Sequence, residues 1–330
     1  MSLFSSLSNL LRPTPPPEAD AMSALKRIAG IVEKSLPTEP GFERMLAPRV
    51  RNALDYCNGL VAQLPQPLGI ERTAFASQPL VHALFASADD IDAMIGQSPA
   101  LHDHVLAGEG ACAEECFALL AARREEKSVL GVEREGDLVR TDVPQRLLHF
   151  SHHNLSLIAD SADQAQRRLR EAALDGLIKT FAAHVRRLRG EQDALRQERA
   201  LATTRNRLSK QHSDATDEAR YSRTIASLDE RLGRNADALL PKHQIEALAD
   251  FLATPEEALR VETVALHVDR SGRIIESKAT HPDGATRLQL TELISRDRRR
   301  HVILPVRFSR RIALQALERT RRERARFIVI

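Results

Sequence analysis

The chain contains no tryptophan, two tyrosines (Tyr56 and Tyr221) and three cysteines in 330 residues. Aromatic residues make up 4% of it, which disfavours functions built on aromatic platforms, such as base stacking on single strands or cages for cations. Cys57, Cys112 and Cys116 leave one thiol over after any single bridge, so a reducing compartment fits better than a disulfide framework. No apolar run approaches the roughly 18–20 residues of a membrane span. The first residues carry neither a basic n-region nor a cleavage site, so no secretory signal is expected and the cytoplasm is the expected location. Gly-x-Gly-x-x-Gly, Walker lysine, HExxH and Gly-x-Ser-x-Gly patterns are all missing. No cofactor is expected, and the reading leans away from an enzyme.

What is present is a long, charged, helical middle. Between Asp163 and about Leu240 there is no proline and there are only three glycines. Leu174, Phe181, Leu188, Leu195 and Ala202 recur every seven residues. Leu177 adds one partner position, but His184, Glu191, Glu198 and Arg205 fill the rest of that column, so this is half of a coiled-coil seam. Ser213 to Asp217 reads as a turn, after which Ile225, Leu228, Leu232, Ala236 and Leu239 give a second helix that folds back. Leu174, Leu177, Phe181, Leu188 and Leu195 are therefore the candidate self-association residues.

The expected fold is mainly α, with an N-terminal helical bundle, a central charged helical hairpin (a weak coiled coil) and a small C-terminal α+β domain. Residues 1–20 read as a short amphipathic helix, with Leu3, Phe4, Leu7, Leu10 and Leu11 on one side, followed by a proline-rich linker. Residues 21–127 read as a helical bundle, with Ala111 to Ala122 as one of its helices and Ser87 and Ser98 starting two others. Residues 128–160 read as a β-hairpin turning at Glu135-Gly136-Asp137, plus a connecting segment that is short strand and loop. Residues 161–255 form the long helical hairpin. Residues 256–330 read as a small antiparallel α+β domain with an arginine-rich helix.

Charge is segregated. From Val61 to Leu120 one basic residue, Arg72, faces eight acidic ones, whereas from Arg296 to Ile330 twelve arginines face three acidic residues. Arg298, Arg299 and Arg300 in a hairpin loop, with Arg310, Arg311, Arg321, Arg322 and Arg324 on the last helix, form a candidate anion-binding set. The same set suits pairing with the acidic 61–120 region.

Two side-chain clusters carry possible chemistry. Cys112 and Cys116, with His102 and His104 upstream, have the ligand types for zinc but no loop knuckle. His149, His152 and His153 are candidate metal ligands, and Ser151 with His152 is a candidate acid/base pair. The favoured reading is a non-catalytic interaction or scaffold protein that self-associates, or docks a protein partner, through its central helices. One alternative is a nucleic-acid-associated protein binding phosphates through the arginine-rich end. Another is an enzyme at the histidine cluster.

Overall fold

The computed structural model describes residues 17–108, 113–135, 138–211, 215–275 and 285–327. The N-terminal Leu3–Leu11 stripe, Cys112, the Gly136-Asp137 turn, Ser213-Asp214 and the final apolar residues 328–330 lie outside them. The chain divides into two units, one formed by Met1–Cys57 with Ala173–Ala258 and the other by Asn58–Ala172 with Leu259–Ile330.

The first unit is helical. It contains α1 (Pro17–Ile31), the first part of α2 (Phe42–Ala62), most of α7 (Ala162–Gln211), α8 (Ala215–Ala238) and α9 (Pro241–Ala253). Buried Phe42, Leu46, Val50, Ala53 and Cys57 follow the three-to-four spacing of one helix face. Polar contacts close the unit between distant segments. Arg27 pairs with Asp175 at 3.1 Å, and the Asn52 side-chain amide donates to the carbonyl of Leu252 at 3.1 Å.

The second unit overturns the expectation of a mainly α chain with only a small C-terminal α+β domain. Of the described residues 60% are helix and 26% strand, and the sheet draws on both the middle and the C-terminal part of the chain. The strands are β1 (Leu68–Gly69), β2 (Glu115–Glu135), β3 (Leu138–Ala159), β4 (Leu259–Val268), β5 (Thr286–Ser295) and β6 (Arg300–Ser309). Their order is β3-β2-β6-β5-β4, antiparallel throughout except for β1, which runs parallel to β6. The helices are α3 (Arg72–Ser77), α4 (Pro79–Leu84), α5 (Ala88–Gln97), α6 (Pro99–Leu106) and α10 (Arg310–Phe327).

The span expected to be a helix from Ala111 to Ala122 enters β2 at Glu115. Its alanine, leucine and glutamate residues are strong helix formers. The burial pattern decides against propensity: Cys116, Ala118, Leu120 and Ala122 alternate into the core, packing with Phe150, Leu290, Val302, Leu304 and Phe308. Likewise, the expected strand-plus-loop at Gln145–Ile158 is continuous strand within β3. Serine side chains start two helices on the sheet, Ser87 accepting from the Asp90 amide and Ser98 from that of Leu101.

The sheet curls until its two edges are joined by a short return segment. Arg273 bridges to Leu147 of β3 and Ile274 to Val268 of β4. The Leu148 amide donates to the carbonyl of Gly272 at 2.9 Å, and that of Ile274 to Arg146 at 2.7 Å. β3 is bent by three register irregularities, each accompanied by a non-glycine residue with left-handed backbone: Asp142 (φ 62°), His152 (φ 54°) and Leu157 (φ 54°).

Beyond Ala122, the last residue of β2 paired with β6, β2 has β3 as its only neighbour strand among the described residues. The hairpin continues outward as a two-stranded ribbon. From Lys127 to Glu135 it is about 30 Å long at the usual rise per residue. At its root Glu292, 1% exposed, is held by Arg124 Nε at 3.0 Å and Arg300 Nη1 at 3.2 Å. A carboxylate this buried needs both partners.

Candidate functional site

The bulge at His152 sets the geometry of the histidine cluster. Ala121 pairs with Asn154 and Arg123 with Ser151, so His152 and His153 together oppose Ala122. Ser151 Oγ donates to Glu125 Oε1 at 2.7 Å, and this bond holds the carboxyl of Glu125 below its ordinary range. A serine has one hydroxyl proton, and here it is committed to a carboxylate. His152 Nδ1, 2.9 Å from Ser151 Oγ, is therefore the donor. A nucleophilic serine needs the opposite polarity, with its proton given to the histidine. The Ser151–His152 pair thus lacks the arrangement for acyl transfer.

His153 faces elsewhere. Its ring stacks on Phe85 with centroids 4.8 Å apart, and Nε2–H donates to the carbonyl of Leu84 at 2.8 Å. Burial pushes its pKa down, so the ring is neutral near pH 7 and Nδ1 is left as an acceptor. His149 is exposed on the same strand. The three histidines do not converge, and among the described residues no group of three or more His, Cys, Asp or Glu is placed to hold a metal ion. His104 bonds Asp160 at 2.8 Å instead. Cys116 lies in the sheet core, and burial raises its thiol and pushes that of Cys57 up to about 12, so neither is a thiolate nucleophile.

His149 and His153 do line a cleft of about 810 Å³ where the curled sheet meets α3 and α4. Its inner wall is Leu84, Phe85, Phe150, Val268 and Leu288. His82, stacked on Phe75 at 4.9 Å, and Arg270 stand exposed at its mouth. His82 and Arg270 were not linked to the cluster by any sequence spacing, being far from it along the chain.

The arginine-rich end is largely occupied by this chain's own acids. Arg299 pairs with Asp297 at 2.8 Å, Arg300 with Glu292 and Glu262, and Arg322 with Glu318. Arg319 reaches Asp92 at 3.6 Å and Asp89 at 3.8 Å, and Arg72 holds the same two carboxylates from the other side. The basic α10 thus packs on the acidic α5. The approach is so close that a Cβ at Gly96 would meet Ala316 O and Thr320 Oγ1 at 2.4 Å. Arg298 sits in the β5–β6 turn with φ 60°. Arg310 starts α10, and Arg311, Arg321 and Arg324 make no ion pair with another described residue. They are spread along one helix.

The self-association residues face inward within their own unit. Leu174, Leu177, Phe181 and Leu195 are buried and Leu188 is half-buried. Phe181 packs on Phe251 of α9 with ring centroids 5.6 Å apart. Leu195 and Ala202 close against Leu228, Ile225 and Leu232 of α8, and Asn235 donates to the carbonyl of Leu188.

Among the described residues, exposed apolar side chains gather on the β2–β3 ribbon. Leu130 is 71% exposed, Val132 60% and Val139 58%. Leu130 opposes Pro144 and Arg134 opposes Val139, so the alternation of the strand puts Leu130, Val132, Val139 and Pro144 on one face. The run Val129-Leu130-Gly131-Val132 was the signal for this in the sequence.

The chain matches no protein-family model, no curated protein and no solved structure. Among the described residues no helix is long and apolar enough to cross a membrane.

Proposed function

We propose that this is a non-catalytic assembly protein whose contact element is the β2–β3 ribbon, which pairs with the ribbon of a second copy. The observation that carries the reading is the exposed apolar face of Leu130, Val132, Val139 and Pro144. A two-stranded ribbon is marginally stable in water unless another layer covers one face. Charge favours a second copy as that layer. Residues 127–146 carry four basic and four acidic side chains, so two ribbons meet without net repulsion. This differs from the segregated charge elsewhere in the chain.

The magnitude points to a reversible dimer. Burying a valine or leucine contributes about 1.5–3 kcal/mol, and a symmetric contact buries three such side chains from each copy. Association opposes this with roughly 4–15 kcal/mol. The expected result is a dimer that forms in the micromolar range and tolerates salt. Light scattering across a concentration series measures it, and replacement of Leu130 and Val132 by aspartate makes the chain monomeric while leaving its circular dichroism spectrum unchanged, with thermal stability equal to the parent's only at dilutions where the parent is itself monomeric. A parent chain that stays monomeric at about 100 µM, well above such a dissociation constant, or a variant that still dimerises, defeats the proposal. Binding to a different protein in place of self-association would also defeat it.

A further inference from the structure

We infer that the cleft in the curled sheet is a binding site for a small organic monoanion with a flat apolar body. The site is separate from the ribbon contact and does not depend on it. Its depth is apolar: Phe85, Phe150 and Leu288 are buried in its wall. The rings of His82 and His153 extend that wall, each fixed by stacking on a phenylalanine. A planar apolar group packs on such fixed ring surfaces with little rotamer entropy to lose.

The anion specificity comes from the turn after β4. Asp269 Oδ1 accepts from the Ser271 amide at 2.8 Å, from Ser271 Oγ at 2.6 Å and from the Arg273 amide at 3.0 Å, while Oδ2 accepts from Arg273 Nε at 3.1 Å. Burial alone would raise the Asp269 carboxyl, but these bonds together hold it below its ordinary range, and the Arg273 guanidinium offsets its charge. Gly272, at φ 81°, turns its carbonyl to the Leu148 amide and ties the turn to β3. Arg270 is therefore displayed at the mouth on a pinned turn, and it makes no ion pair with another described residue. A planar guanidinium presented this way suits a carboxylate. Asp90, on the same mouth and bonded to Ser87 Oγ at 2.9 Å, adds one negative charge that repels polyanions such as pyrophosphate. His153 Nδ1 offers an acceptor for a ligand hydroxyl.

The test is titration calorimetry of the full chain with 2-naphthoate, its neutral analogue 2-naphthylmethanol, and pyrophosphate. One charge-assisted pair contributes about 1.5–3 kcal/mol, roughly a tenfold or larger difference in affinity. Naphthoate is expected to bind at least about tenfold tighter than the alcohol, and pyrophosphate not to bind. Arg270→Gln should bring naphthoate down to the level of the alcohol while leaving the circular dichroism spectrum and melting unchanged. Three results overturn the inference: no saturable binding of naphthoate up to about 1 mM, equal affinity for the alcohol, or unchanged affinity in Arg270→Gln.

Discussion

The α7–α8 hairpin and the β2–β3 ribbon are both antiparallel pairs of long elements, yet they handle their apolar residues in opposite ways. Each helix carries a stripe on the side that meets the other, so Leu195, Ala202 and Leu228 disappear into the pair. Strands pair edge to edge through their backbones, and their side chains point to faces that neither strand covers. Leu130, Val132 and Val139 therefore stay in water unless something else is laid on them. Two helices suffice to make a small core, whereas two strands do not.

The largest effect should come from breaking the closed helical seam. Phe181→Ala removes a buried ring that packs on Phe251 and should destabilise the first unit by about 3–5 kcal/mol, read as the shift in its urea midpoint. A loss below about 1 kcal/mol would mean that the seam relaxes around the gap and is not the well-packed core argued for here.

Next in size is the root of the ribbon. Glu292→Gln leaves Arg124 and Arg300 facing a neutral amide in a buried position. Arg300 is half exposed, so water screens part of the loss, and about 1.5–3 kcal/mol is expected. The readout is unfolding of the second unit, together with faster proteolysis near Lys127. Unaltered stability would mean that the backbone ladder holds the ribbon without the charges.

Smaller still are changes on exposed apolar positions, and here the two hairpins should part. Leu201 and Leu208, 61% and 47% exposed, lie a heptad apart on the outer side of α7. Leu201→Ser should alter stability by less than about 0.5 kcal/mol and leave the solution mass untouched. Leu130→Asp should be equally silent in stability at dilutions where the parent is monomeric, but should lower the mass at higher concentration. If Leu201→Ser abolished dimerisation instead, the helical hairpin would take over as the contact element.

The same physics explains what could be read in the sequence. Where local preference and tertiary burial agree, the elements were legible. Val261–Val268 alternates and lies in β4, Ser87 and Ser98 cap their helices, and Ser309 Oγ accepts from the Ile312 amide at the start of α10. Within the expected Ala111–Ala122 helix, Glu115–Ala122 was not legible as strand, because its residues favour helix and only packing against β6 makes them strand. The acidic and basic ends could be counted, but that Arg319 and Arg72 share Asp89 and Asp92 depends on α10 meeting α5. Of the cleft, only His149 and His153 stood out. His82 and Arg270 are brought to it by the curl of the sheet, which no local pattern encodes.

The last prediction concerns how β3 obtains its bend. With no packed seam to shape it, β3 relies on bulges, and at His152 a residue with a side chain occupies a left-handed backbone at φ 54°. A Cβ there costs about 1–2 kcal/mol, whereas glycine adopts this conformation freely and loses roughly 0.5–1 kcal/mol in the unfolded chain. His152→Gly and His152→Ala both delete the bond to Ser151 Oγ, so comparing them isolates the backbone. Glycine should be the more stable of the two by a few tenths to about 1 kcal/mol, the reverse of their order at an ordinary strand position. Thermal melting of the two variants reads the sign. Alanine melting higher would place His152 in regular extended backbone, and the bend of β3 would then have to come from Asp142 and Leu157 alone.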